Sequence, residues 1–232
     1  MTSKATYYLT PNAAGTAFTG TGYTPDGTIP ANAIPCTQEQ AQNFQAYVPS
    51  NGEIVSAPDS MLLQQTQSAQ IALVTKGYNT ATDYVPVTIN GTTYQVDNTA
   101  GKQALNLSLA ITANAMLNSP AWAASTEYAA GSYCNVGGVI LFCSASGKSG
   151  TASPTPPTTF GTPVTDGTAQ WELLGRKVYL QGGSFVYMTP QQIMSAFQQG
   201  ELYLHQMSDQ LESLKVQINS ASTVSAVQSV IW

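Results

Sequence analysis

Between residues 193 and 218 one row of side chains recurs at intervals of 4, 3, 4, 3, 4, 3 and 4: Ile193, Phe197, Gly200, Leu204, Met207, Leu211, Leu214 and Ile218. This is the 3.5-residue repeat of a coiled-coil seam, narrower than the apolar stripe of an ordinary buried helix. Only Gly200 breaks it. Ahead of the row, Thr189 is placed to cap the helix, Pro190 suits its first position, and Gln192 completes a capping box. A helix this long must cover its seam, either with a neighbouring copy or with another helix of the same chain. Leu202, Tyr203 and Val216 widen the stripe and could touch the chain's own core while the seam meets a neighbour.

The remaining elements are read from turn and cap chemistry. Residues 7–35 are rich in Thr, Gly and Pro, and Thr24-Pro25-Asp26-Gly27 is a turn signal, so a short β-hairpin or extended arm is expected. Thr37 and Gln40 form a capping box for a first helix that carries Ala41, Phe44 and Val48 inward and stops before Pro49-Ser50-Asn51-Gly52. After the strand-like Glu53-Ile54-Val55, a second helix is predicted from about Asp59 to Lys76, with Gly77 as its C′ residue. Asn90-Gly91 lies between the alternating runs Tyr84 to Ile89 and Thr92 to Val96, a type I′ hairpin signal because both residues accept positive φ. A third helix runs from about Thr99 to Asn118, where Ser119-Pro120 stops it. Gly182-Gly183 joins a further pair of strands, and a short last helix starts at Thr223. The fold class is α+β: β-hairpins, a helical hairpin, a long C-terminal helix and a small inserted all-β module.

Four segments follow from this layout. Residues 1–58 are a β-rich arm with a short helix, 59–119 a helix-hairpin-helix, 120–176 the inserted module, and 177–232 the hairpin and long helix that complete the α+β domain. The insert is dominated by Tyr, Gly, Thr and Pro, with residues 147–163 as a low-complexity loop. Its centre is a hairpin around Gly137-Gly138, which sets Cys134 opposite or diagonal to Cys143. A disulfide is sterically open to them, but two packed thiols suit a reducing compartment better.

Charge excludes several function classes. Only 8% of the 232 residues are charged, for a net charge of -5, and 28 Thr, 21 Ser, 20 Gln and 12 Asn supply the polar surface instead. The seven basic residues, at 4, 76, 102, 148, 176, 177 and 215, are too scattered along the sequence for a phosphate-binding stripe, so no nucleic-acid partner is expected. No apolar run approaches the ~20 residues of a membrane helix. The start, Met1 to Tyr8, lacks the apolar core of a secretory leader, so an intracellular product is expected.

Catalytic inventories are equally thin. His205 is the single histidine and sits in the long helical pattern. Cys36, Cys134 and Cys143 show no metal-ligand spacing, and Asp209 and Glu212 read as a solvated pair on a polar helix face. Gly147-Lys148-Ser149 matches the end of a phosphate loop, but Phe142 stands where its first glycine belongs. No enzyme activity, cofactor or metal is expected.

Two resemblances carry the functional expectation. Ile29 to Ile34 followed by Thr37-Gln38-Glu39-Gln40, the hairpin Val87 to Asp97, and Gly183 to Pro190 with the helix to Trp232 together resemble small tail-fibre and tail-fibre-assembly proteins of tailed bacteriophages. The insert, with Trp122, Thr126-Glu127-Tyr128, Gly131, Tyr133, Cys143, Gly147 and the Asp166-Gly167-Thr168-Ala169-Gln170-Trp171 ending, resembles the carbohydrate-binding-like β-modules of phage tail fibres. That second resemblance implies that exposed aromatics stack on sugars, with Trp122, Tyr128, Tyr133, Phe142 and Trp171 as candidates. A module of this size also needs aromatics for its own core. Trp122 and Trp171 fit that role better, whereas Tyr128 and Tyr133 are open to either.

The resemblances imply a structural component of a tailed-phage virion, in the tail or its fibres, made in the host cytoplasm and acting through protein interfaces. Its expected partners are other tail or fibre proteins, further copies of itself through the 193–218 seam, and a bacterial surface glycan. The alternatives are an assembly chaperone that leaves the particle and a glycan-binding receptor-recognition module.

Overall fold

A computed structural model of the chain describes residues 6–232. Residues 1–5 of the start read above as lacking a leader lie outside the described residues. The chain forms two compact units, one of residues 6–74 with 213–232 and the other Thr75–Glu212. The α+β class holds, and no helix among the described residues is long and apolar enough to cross a membrane.

In the first unit, β1 (Thr6–Pro11) pairs with β2 (Phe18–Thr24) and with β3 (Ile34–Cys36), burying Leu9 and Phe18. Asp26 fastens the turn after β2: its Oδ1 accepts from the Thr28 N–H at 3.0 Å and from the Thr24 hydroxyl. The Thr37 capping box forms, with Gln40 N donating to Thr37 Oγ1 at 3.1 Å and Thr37 N to Gln40 Oε1 at 2.9 Å. Its helix α1 is only Gln38–Gln42, however, and does not reach Val48. Instead β4 (Tyr47–Ser50) pairs with β5 (Glu53–Ser56) across Asn51-Gly52, whose φ values of 51° and 79° match a type I′ turn. Pro49 disfavours helical geometry at Val48, and Val48 pairs with Val55.

Helix α2 is Asp59–Thr82 and passes through Gly77, which was expected to end it. A mid-helix glycine costs about 1 kcal/mol. Tertiary contacts hold the extra turn, among them the Tyr203 hydroxyl, which donates to the Ala81 carbonyl at 3.0 Å.

The second unit is centred on the predicted Asn-Gly hairpin. Strands β6 (Tyr84–Ile89) and β7 (Thr92–Asp97) turn at Asn90 and Gly91, with φ 51° and 80°. Alternation sends Val85, Val87, Ile89 and Val96 into a core shared with Ala113 of α3 (Ala100–Leu117). The insert adds β8 (Glu127–Tyr128), β9 (Tyr133–Val136), β10 (Val139–Ala145), β11 (Gly147–Lys148), β12 (Val164–Asp166) and β13 (Ala169–Leu173). Its main sheet runs β12-β13-β10-β9, with β11 paired to β8 beside it. The chain then forms the hairpin β14 (Arg176–Tyr179) and β15 (Phe185–Met188), and enters α4 (Pro190–Ser220) through the Thr189–Gln192 box. The Gln199 amide accepts from Thr88 N–H at 2.8 Å and donates to its carbonyl at 3.1 Å, closing the edge of β6 as a further strand would.

The end of α4 and the last helix, α5 (Val224–Gln228), belong to the first unit. There neutral amides clasp the backbone: Gln67 Nε2 donates to Ile218 O at 3.1 Å and Gln70 Nε2 to Val230 O at 2.6 Å. This is one use of a Gln-rich composition.

Candidate functional site

Asp166 organises the inserted module. It ends β12, buried, and Gly167 follows it at φ 64°, where a Cβ would stand 2.3 Å from the Lys148 carbonyl oxygen. Asp166 Oδ2 accepts from the indole N–H of Trp122 at 2.7 Å and of Trp171 at 3.1 Å, while Oδ1 accepts from Gly150 N–H at 2.7 Å. The Asp-Gly-Thr-x-x-Trp motif is therefore a knot of the module's own architecture.

This arrangement sorts the five aromatic candidates. Trp171 is fully buried, packed with Cys134, Val136, Leu141, Cys143 and Ala169, and Trp122 packs against that core. Tyr128 stands edge-on to Trp171 at 4.8 Å, and its hydroxyl accepts from Ala123 N–H at 2.8 Å. The rings and polar atoms of Trp122, Tyr128 and Trp171 are thus engaged inside the module, the role that suited the two tryptophans better and was open to Tyr128. Tyr133 and Phe142 lie on the other face of the sheet, since strand alternation separates them from Cys134, Leu141 and Cys143.

On that face, where both rings also pack against buried Met116, Ile140 and Leu174, register makes a row across three strands. Phe142 pairs with Tyr133 on one side and Glu172 on the other, and the Tyr133 and Phe142 rings are 5.8 Å apart. Phe160, Tyr187 and Arg176 complete a solvent-open cavity of about 390 Å³. Phe160 and Tyr187 are also ring neighbours, at 5.7 Å. Gly175 seats Phe160, because a Cβ there would lie 2.5 Å from its Cε1. Among the described residues, the side chains of Glu172 and Arg176 have no hydrogen-bond or ion-pair partner. The groove thus offers apolar ring faces together with an uncommitted carboxylate and guanidinium, a combination that suits a ligand with one apolar face and a polar edge.

Phe160, Glu172, Arg176 and Tyr187 were not among the sequence candidates. Phe160 did carry a signal, as the one large apolar side chain in the Ser/Thr/Pro-rich stretch 150–162.

The cysteines are free thiols. Cys134 pairs with Leu141, which leaves Cys143 diagonal to it. Burial pushes the Cys134 thiol up to about 12, with further contributions from Cys143 and Asp166, and burial also raises Cys143. Gly147 and Lys148 lie in β11, paired with β8, so the phosphate-loop resemblance has no helix behind it. No group of three or more His, Cys, Asp or Glu side chains able to hold a metal occurs among the described residues.

The seam divides by depth. Ile193, Leu211 and Ile218 are buried within the single chain, and Ile193 joins Val85, Val87 and Met188 in the core of the second unit. Their own chain covers these three, the intramolecular one of the two alternatives open to the seam. Phe197, Leu204, Met207 and Leu214 are half-buried. Among the exposed apolar side chains are Leu107 at 52% and Ile111 at 63% on α3, one helical turn apart.

Set against protein-family models, curated proteins and solved structures, the chain matches none of them.

Proposed function

We propose that this chain is a non-catalytic structural and recognition component of a tailed-phage particle, in which the inserted module and the β14–β15 hairpin present a groove to a bacterial surface saccharide. The phage assignment rests on the resemblance of its hairpin, long helix and insert to tail-fibre proteins. The observation that carries the recognition role is the row Tyr133–Phe142–Glu172 facing Phe160 and Tyr187. Sugar rings pair an apolar C–H face with hydroxyl edges. Aromatic walls with a free carboxylate and guanidinium complement both.

The test is a bacterial-glycan array probed with the full chain and with Phe160→Ala. Retention of the wild type on a subset of glycans, lost in the variant, is expected. Equal retention of both, or of neither, would remove the groove from recognition.

Exposed Leu107 and Ile111 favour a second reading, in which the chain acts on other tail proteins during assembly and then departs. Mass spectrometry of purified particles separates the two: a retained subunit is present at stoichiometric level, and a chaperone is absent.

A further inference from the structure

The hairpin β14–β15 shows solvent a face of unusual composition. Lys177 and Tyr179 on one strand stand opposite Tyr187 and Phe185 on the other, so all four share one side. Phe185 is 47% exposed and Tyr187 43%. Their rings are 5.7 Å apart, and Tyr187 is again 5.7 Å from Phe160, which walls the groove. Ring contacts therefore continue from the hairpin surface to the cavity lined by Phe142 and Tyr133, with Phe185 meeting Tyr187 edge to face at 89° and Phe160 tilted 39° to Tyr187.

Positive charge follows the same path. The chain has seven Lys and Arg and a net charge of -5. Three of those seven are here: Lys102 Nζ lies 3.9 Å from the Tyr179 ring centroid, Lys177 Nζ 4.4 Å from that of Phe185, and Arg176 lines the groove. Glu172 is the groove's acidic member. Cations scattered in sequence are thus gathered by the fold beside the aromatic strip and its groove.

We propose that the groove and the β14–β15 strip form one extended site for a linear, carboxylate-bearing polysaccharide, a proposal that rests on the saccharide reading above. Sugar rings lie in turn against the side chains of Phe185, Tyr187 and Phe160 and end in the groove. Arg176 takes a sugar carboxylate there through its planar fork, while Lys177 and Lys102 attract carboxylates at the outer end. Glu172 accepts from hydroxyls.

The test is calorimetric titration of the full chain with oligogalacturonides and α2,8-linked sialic acid oligomers of one to six rings. The carboxyl-reduced oligomers are run alongside, at low and at physiological salt. For at least one acidic series, affinity is expected to rise about tenfold or more between one and four rings, and to fall with salt as exposed charge pairs do. Carboxyl reduction is expected to weaken binding about tenfold. Phe185→Ala should weaken binding of four or more rings and leave one or two rings unaffected, and Lys177→Gln should flatten the salt dependence. Both replaced side chains lie on the hairpin's outward face, so folding is not at stake.

Equal affinity for acidic and reduced oligomers would overturn the acidic ligand. Affinity independent of length would overturn the extended site. Either result leaves saccharide recognition standing. Failure of every oligomer overturns the proposal, and the glycan array then decides whether the underlying reading survives. Retention on purified tail protein that Phe185→Ala abolishes would assign the strip to a protein interface and overturn it as well.

Discussion

Replacing Asp166 with Ala removes one carboxylate and strands three donors at once: the indole N–H groups of Trp122 and Trp171 and the backbone N–H of Gly150, bonded at 2.7, 3.1 and 2.7 Å. A hydrogen bond to a charged group contributes about 1.5–3 kcal/mol, so simple addition would give far more than a single site delivers. Two effects reduce the total. Deleting the carboxylate ends its own desolvation cost, and water can reach the partly exposed Trp122 and Gly150. Trp171 has no such relief, because it is fully buried. The expected net loss is about 3–5 kcal/mol, in line with removal of one partner from a buried charged cluster. Asp166→Asn keeps a neutral acceptor oxygen and should lose about half as much. The protein carries its own probe: two of its three tryptophans donate to Asp166. Urea unfolding followed by tryptophan emission should show the midpoint of this unit falling by about 2 M for Asp166→Ala, taking a slope of about 2 kcal/mol per molar. A midpoint within about 0.3 M of the wild type, with unchanged emission, would refute Asp166 as the module's organising residue.

Three further outcomes follow from other parts of the structure. Gly175→Ala places a methyl group 2.5 Å from Phe160 Cε1, so the ring must leave its seat; saccharide affinity in the array or by calorimetry should drop about tenfold while the far-UV spectrum stays native. Leu211→Asp buries an unpaired carboxylate in the chain's own packing and should cost about 3–5 kcal/mol, read as a lowered thermal midpoint at every protein concentration; a variant that melts normally and loses only oligomers would return the seam to an intermolecular role. Thiol titration at pH 8 should modify the half-exposed Cys36 in the native protein and reach Cys134 and Cys143 only after unfolding. The sign of the accompanying pH effect is fixed: Cys134 is raised from 9.0 to about 12, so between these values the unfolded chain releases a proton that the folded chain keeps, and stability falls as pH rises.

Elements whose chemistry closes within a few residues could be read from sequence. The capping boxes at Thr37 and Thr189 and the Asn90-Gly91 turn are of this kind, because donor, acceptor and φ preference lie within one turn of chain. Asn51-Gly52 makes a second such turn, and Pro49 disfavours helical geometry at Val48, so the spacing of Ala41, Phe44 and Val48 carries the expected helix too far. Gly77 was misplaced as a helix end because tertiary support for the next turn comes from Tyr203, more than a hundred residues away. The seam was ambiguous for a physical reason: a 3.5-residue repeat suits a partner in the same chain as well as one in another. Of the groove, only Tyr133 and Phe142 were legible. Glu172 joins them through strand register, and Arg176 and Tyr187 through a different hairpin, so no local pattern links them. The Asp-Gly-Thr-x-x-Trp ending, the most specific part of the module's resemblance, carries the core contacts of Asp166 and Trp171.

The most direct measurement is a map of side-chain NMR shifts in the full chain on adding a saccharide retained in the array. The expected result is that the aromatic signals of Tyr133, Phe142, Phe160 and Tyr187 move together and saturate with one affinity, while Leu107 and Ile111 stay still. Shifts confined to α3, or spread without saturation, would contradict recognition through the groove.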